Sequence, residues 1–229
     1  MNNAYYQLTK PGIVYGNALT ALAGFFFATG PSIDWEIFSA MLAGLSLVIA
    51  SACALNNYFD RDIDERMERT KGRGLPSGAI PPENAILFSA LLGALGLALL
   101  FAFTNLLALL VAALGWIVYI LAYTPLKRIH PYALFVGAIA GATPPVVGYA
   151  AAAHTLDTTA LALFAFLFVW QIPHFIAIAV YRYDEYANAG VPLLIKKPPS
   201  KRARGVARSV FYGSLVVLLL WCLALILQR

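Results

Sequence analysis

Charge is what this sequence has least of. Only 12% of its 229 residues are Asp, Glu, Lys or Arg, about half the share found in an ordinary soluble domain. With 61% hydrophobic residues and a mean hydropathy of +0.74, that scarcity excludes a water-soluble globule. Cysteine is nearly missing too. Cys53 and Cys222 lie in separate apolar runs, so neither a disulfide framework nor a zinc spacing is indicated. Also missing are short segments of alternating polarity, which excludes a membrane barrel. No low-complexity stretch, short-period repeat or separate soluble domain interrupts the chain.

What is present is a series of continuous apolar runs. Seven can be read, at 12–29, 37–58, 85–103, 106–123, 132–153, 159–181 and 209–227. Each is long enough to cross a hydrocarbon core at a helical rise of about 1.5 Å per residue. The fold class expected is all-α, a polytopic transmembrane helical bundle. Spans three and four meet tightly around Thr104 and Asn105, which predicts an antiparallel hairpin. The first span follows a single Lys and no convincing cleavage site, so it is expected to be a retained helix. Without an Arg- and Ser-rich leader, a bacterial plasma (inner) membrane is expected rather than organelle import.

The few charges are unevenly shared. Alternate loops on one side receive Lys10, the basic residues of 61–73, Lys127 and Arg128, and those of 182–208. The other side receives only Arg229, with Asp34, Glu36 and Asp157. The positive-inside rule then puts the N-terminus and the charged loops 59–84 and 182–208 in the cytoplasm. The net charge of +5 is thus chiefly topological, and a nucleic-acid partner is a poor reading of it.

One stretch concentrates charge, "LNNYFDRDIDERMERTKGRGLPSG" at 55–78. If the second helix runs on past Asn57, then Asn56, Asp60 and Asp64 stand at i, i+4 and i+8, within about 80° of arc on one face. Asn57 and Glu68 lie near the edge of that arc. This is a column of oxygen donors without sulfur or imidazole nearby, which favours Mg²⁺ or Mn²⁺. Magnesium takes a few carboxylates and completes its shell with water and substrate phosphate. Arg69, Lys71 and Arg73 follow in a Gly- and Pro-broken segment able to fold back over the carboxylates. Carboxylates for a metal, with basic donors beside them, form a diphosphate site. The apolar spans beneath suit the greasy part of the same molecule, so a lipid diphosphate is the ligand expected. Asp62, Glu65, Arg61 and Arg66 fit simple solvation at a membrane boundary.

These residues carry a resemblance. Asn56-x-x-x-Asp60-x-x-x-Asp64 resembles the first aspartate motif of UbiA-type intramembrane prenyltransferases. The blocks "LTKPGIVYGN", "YTPLKRIHPYALFVGAIAGATPPVVGY" and "WQIPHFIAIAVYRYDEYANAGVPLL" narrow the likeness to the haem O synthase group. The resemblance implies transfer of a farnesyl group from farnesyl diphosphate to a vinyl carbon of haem B. It implies Mg²⁺ on Asp60 and Asp64, Asn56 as a polar ligand, and Arg69 and Arg73 as substrate-binding positions. The wider superfamily has a second D-x-x-x-D motif after the sixth span. Here "YRYDEYANAG" offers only the adjacent Asp184 and Glu185, a departure typical of the haem O synthase group, so the second metal's ligands stay open. The family usually has nine spans. Residues 1–229 are therefore expected to form a single UbiA-type domain lacking the last two helices.

Polar residues inside the spans extend the candidate set. His174 follows Pro173 within the sixth span, and an ionisable group there is a functional candidate by default. It is the candidate for holding haem, through its iron; a neutral imidazole bonded to a neighbouring helix is the alternative. Lys127 and Arg128 close a turn where they would meet diphosphate or a haem propionate, or only enforce topology. Tyr119, Tyr123 and Trp170 would line a cavity, where aromatic faces stabilise an allylic cation, and Asn17 would point into the bundle. His130 and His154 read as solvated or structural. Two readings compete with haem farnesylation: a UbiA-type enzyme with an aromatic acceptor, and a non-enzymatic isoprenoid-diphosphate carrier. A non-catalytic assembly factor is a third. A homo-oligomer or terminal oxidase assembly partners are the protein partners expected, beside the lipid bilayer.

Overall fold

A computed structural model describes residues 2–228, with side chains from Ala4 onward. Arg229 lies outside the described residues. Among them there are helices and no strands. A short α1 (Asn2–Leu8) precedes α2 (Pro11–Ala28), α3 (Trp35–Phe59) and the single turn α4 (Arg61–Glu65). Then come α5 (Pro82–Phe103) and α6 (Leu106–Ile117), a π-helical turn at Val118–Tyr123, and α7 (Thr124–Leu126). After these come α8 (Ala133–Gly141), α9 (Thr143–Ala153), α10 (Thr158–Tyr181), α11 (Tyr183–Asn188) and α12 (Lys201–Leu227). Seven helical segments are long and apolar enough to span a bilayer, α6 to α7 and α8 to α9 each forming one span.

Caps mark the starts of these helices in the sequence. Asp34 accepts from the backbone N–H groups of Glu36 and Ile37. Asp157 does the same for Thr159 and Ala160, and the Asn105 side chain accepts from Ala108 N. Each satisfies donors that a helix start would otherwise leave bare. Pro11 and Pro82 open α2 and α5, where a missing N–H costs nothing. The largest departure from the sequence reading is the last span, which starts at Lys201 rather than near 209. Ser200 caps it, and the basic turns that follow are helical. Hydropathy marks where a helix leaves lipid, not where it stops being a helix.

The helices pack through small residues. Along the α2–α9 seam, a Cβ on Gly148 would lie 1.9 Å from the Ala21 carbonyl oxygen, and one on Gly24 would lie 2.1 Å from that of Pro145. Gly44 and Gly96 allow the same close approach between α3 and α5. Such seams let backbones approach where lipid removes the hydrophobic incentive to associate. Leu91, Phe101, Leu121, Leu161, Val169 and Leu220 meanwhile point outward. An interior of Ala, Gly and Ser under an exterior of Leu and Phe is the arrangement of a lipid-solvated bundle. Polar groups between the helices find partners there: Trp116 donates to Ser51, which bonds Ser89, and Asn105 donates to Ala150 O.

Candidate active site

At one end of the bundle α3 does not stop cleanly. Asp60 N donates to Asn56 O and Asp64 N to Asp60 O, so helical hydrogen bonding carries through the Asp60 junction into α4. Asn56, Asp60 and Asp64 are all buried, Asp60 at 5% exposure and Asp64 at 7%. Two buried carboxylates one turn apart would repel each other without compensation.

Three cations supply it, from three parts of the chain. Lys127, just past α7, donates to Asp60 Oδ2. Arg73 donates to Asp64 Oδ2 at 2.8 Å and to Asn57 Oδ1 at 3.3 Å. Lys10 donates to Asn56 Oδ1. The loop that brings Arg73 in is folded back by Thr70, whose hydroxyl donates to the Asp64 carbonyl at 2.8 Å. Asn56 is steadied from behind by its amide bond to Thr124 Oγ1 at 2.9 Å, and Thr124 in turn bonds Tyr119 O. Burial, and the nearby Lys127 ammonium, lower the Lys10 pKa to about 8. Burial also works against the Lys127 ammonium, but Tyr123 and Asp60 outweigh it and hold its pKa above the usual lysine value.

One carboxylate atom is left over. Asp60 Oδ1 is buried and has no hydrogen-bond partner. A buried anionic oxygen in that state is costly and is available to a cation. Among the described residues no group of three or more His, Cys, Asp or Glu side chains is placed to hold a metal. Any metal here would rest on Asp60 and Asp64 with the Asn56 carbonyl, leaving most of its shell to water and phosphate. That suits magnesium, which seldom accepts an all-protein cage.

Directly beneath this layer is a cavity of about 350 Å³. Its lining along α3 runs from Cys53 back to Leu45, about 12 Å of helix. Tyr119 and Tyr123 form part of its roof, Trp170 and His174 part of its wall, and Asn17 also faces it. The Lys127 ammonium sits 5.2 Å from the Tyr123 ring centre, which ties the charged layer to the cavity. His174 stacks on Trp170 at 4.9 Å, and its Nδ1 lies 2.7 Å from Ser214 Oγ.

Asn57 lies at the edge of this cluster, its oxygen accepting from Arg73 and its amide donating to Leu8 O at 2.7 Å. The remaining residues singled out in the sequence lie outside it. Lys71 pairs with Glu68 at 2.7 Å and is 55% exposed. Arg69 reaches across to Glu185 at 3.3 Å. Arg128 binds Asp62 and Phe59 O, and that guanidinium holds the Asp62 carboxyl below its usual range. Asp184 is taken by Arg204, and Glu185 also accepts from Arg182 at 3.0 Å. His154 meets Asn105, and His130 accepts from Tyr132 N. Lys10, which the sequence assigns to topology and to the block "LTKPGIVYGN" but to no site, joins the cluster. Its one local signal was its position before Pro11 at the start of the first span.

Seven spans packed on small-residue seams, with acids and cations gathered over an apolar chamber, define a polytopic α-helical membrane protein with a buried polar site at one mouth. The chain belongs to the UbiA prenyltransferase family, whose pattern matches residues 17–228. It is 47% identical over 195 residues to a protoheme IX farnesyltransferase from Marinomonas sp. (strain MWYL1), covering 85% of this chain and 66% of that protein. It is 43% identical over 209 residues to one from Sodalis glossinidius, covering 91% and 69%. The chain thus spans about two thirds of the length of these curated relatives. Among solved structures, it resembles a digeranylgeranylglyceryl phosphate synthase at 20% identity with a TM-score of 0.71, over 98% of this chain and 84% of that one. A UbiA homologue from Archaeoglobus fulgidus, solved with DMAPP and Mg²⁺, matches with a TM-score of 0.68 at 20% identity, over 99% and 78%. These likenesses fix the fold.

Proposed function

We propose that this chain is the prenyl-transferring unit of a haem farnesylating enzyme, one UbiA-type domain over residues 1–229. It would take farnesyl diphosphate and a vinyl group of haem B and release diphosphate. The observation that carries this reading is the buried Asn56–Asp60–Asp64 column, one Asp60 oxygen unpartnered, set over an apolar cavity. The names of the 43–47% identical relatives support haem B as acceptor. The Mg²⁺ and prenyl diphosphate of the Archaeoglobus homologue support the metal and the donor class.

In this scheme Asp60 and Asp64, with Asn56, would hold Mg²⁺, which when bound would supply charge neutralisation at the diphosphate oxygens. Arg73 and Lys127, a hydrogen bond away from those acids, offset the negative charge that grows on the leaving group. The allylic C–O bond breaks with its electron pair going to diphosphate. Tyr119, Tyr123 and Trp170 line the cavity and would stabilise the resulting cation, and the apolar wall keeps water from it. The vinyl carbon attacks the cation. Water then adds at the adjacent carbon and loses a proton, giving the hydroxyethylfarnesyl group. His174, on the cavity wall, would hold the porphyrin. Arg69 and Glu185 act a step removed, by tying the two charged loops together. The site end, with the N-terminus, faces the cytoplasm of an inner membrane.

The test is product identification. Purified protein receives farnesyl diphosphate and Mg²⁺ with either haem B or 4-hydroxybenzoate, and products are read by mass. A farnesylated haem is expected. A prenylated benzoate instead would reassign the acceptor, and uptake of the diphosphate without its release would favour a carrier.

A further inference from the structure

The reaction proposed above makes opposite demands on water. The allylic cation must not meet it, yet the product carries a hydroxyl, so one water must reach one carbon after the new C–C bond has formed. An apolar cavity stays dry unless polar partners hold a water in it. Several polar side chains of this wall spend their donors on backbone carbonyls: Thr20 on Asn17 O, Thr143 on Ala140 O and Trp170 on Ser214 O.

Gln171 keeps an acceptor to spare. It lies on α10 one turn before His174, on the same face, and is buried at 6% exposure. Its amide nitrogen donates to Leu167 O at 3.1 Å and to Ala138 O at 3.4 Å. Two carbonyl partners mark that end of the amide as the nitrogen, and both of its N–H groups are then used. The oxygen rests against Gly141, where a Cβ would lie 2.0 Å from it, and both residues line the cavity. Among the described residues no donor reaches that oxygen, and a buried acceptor without a donor is costly. Gly141 brings a second acceptor. Its carbonyl would receive the N–H of residue 145 in a continuous helix, but Pro145 has none. The adjacent Ala140 carbonyl loses its donor to Pro144 in the same way and takes the Thr143 hydroxyl instead, at 2.9 Å.

We propose that Gln171 is the positioning residue for the hydration step: one water donates its O–H groups to Gln171 Oε1 and the Gly141 carbonyl and turns a lone pair into the cavity. This rests on the haem farnesylation reading given above. Once the vinyl terminus has bonded to the farnesyl carbon, the positive charge lies on the vinyl carbon attached to the porphyrin ring. The held water gives its lone pair to that carbon and forms the C–O bond. The proton it then sheds goes to the diphosphate released in the first step. Without a held water the same cation loses a proton from the neighbouring CH₂ group and closes to a C=C bond. That product is one water lighter.

The experiment gives the chain farnesyl diphosphate, Mg²⁺ and haem B in isotope-labelled water and separates the products by mass. The unsubstituted chain should give the hydrated product carrying the label. Gln171→Leu should lower the ratio of hydrated to dehydrated product about ten-fold, with release of diphosphate little changed. Gly141→Ala should do the same with Gln171 intact. Its collision falls on the far end of a flexible side chain, so it keeps the test open if Gln171→Leu fails to fold. An unchanged ratio in a folded Gln171→Leu would overturn the assignment. So would loss of both products there, which would place Gln171 before water addition. A ratio that falls in Asn17→Leu instead would move the water to α2. Failure of the unsubstituted chain to farnesylate haem is a different result, the failure of the haem farnesylation reading itself.

Discussion

Asp60 has one carboxylate oxygen on an ammonium and the other on nothing, and that asymmetry separates structural from chemical roles. Replacing it with Asn keeps the shape and removes the charge a metal needs. Asp60→Asn should lower turnover by at least about 100-fold while helix content by circular dichroism and elution volume in detergent stay unchanged. Wild-type turnover in that variant would remove the metal column from the mechanism. At His174, hydrogen-bond accounting favours one tautomer. Ser214 donates its only hydroxyl proton to Phe211 O at 2.6 Å, so toward His174 it can only accept. The imidazole therefore donates from Nδ1 and keeps a lone pair on Nε2, the form in which histidine ligates iron. Ser214→Ala should shift the Soret band of bound haem B and weaken binding about 10-fold, less than His174→Ala does, because a second-sphere partner typically contributes about that much to a ligand's hold. Unaltered haem spectra in both variants would leave His174 a packing residue.

At the scale of elements, the helices were legible because a span needs only length and hydropathy. The spacing of Asn56, Asp60 and Asp64 could be read because helical hydrogen bonding carries on past Phe59. Which loop cations turn inward could not be read, since the segment after Arg66 has no periodicity. Thr70 pulls it back onto the Asp64 carbonyl, so Arg73 enters and Lys71 stays in water. Lys10 escaped notice because its partner is distant in sequence, and Asn57 turns to Leu8 O because neighbours on a helix diverge by about 100°. The two charged loops meet through Arg69 and Glu185. Both side chains are about a third exposed, so a double-mutant cycle with Arg69→Gln and Glu185→Gln should give a coupling of no more than about 1 kcal/mol. Loop 66–80 should become more open to protease in either single variant. Along the other seam, Gly148→Val should cost about 1–3 kcal/mol or more by forcing α2 from α9, measured as earlier thermal unfolding in detergent.

For the whole molecule the open question is which way it sits in the bilayer, and the charges and the contacts bear on it separately. Seven spans place the loops alternately on two sides, and the Arg69–Glu185 and Arg128–Asp62 pairs hold three of the basic segments at one end. Basic residues resist translocation and are retained on the cytoplasmic side. The same end holds the acids, so water-soluble diphosphate and metal would enter from the cytoplasm while lipid-soluble partners reach the cavity below. Chemistry and topology thus favour one orientation, which cysteine labelling can read. Cys53 and Cys222 are both buried and should stay silent toward an impermeant maleimide. Single cysteines at the exposed Ser77 and Ser200 should label only after the membrane is opened, and cysteines at the exposed Ser32 and Thr155 should label on intact cells. The reverse pattern would put the site outside and deny it the cytoplasmic pool of prenyl diphosphate. Labelling of Ser77→Cys and Ser200→Cys from opposite sides would break the seven-span count itself.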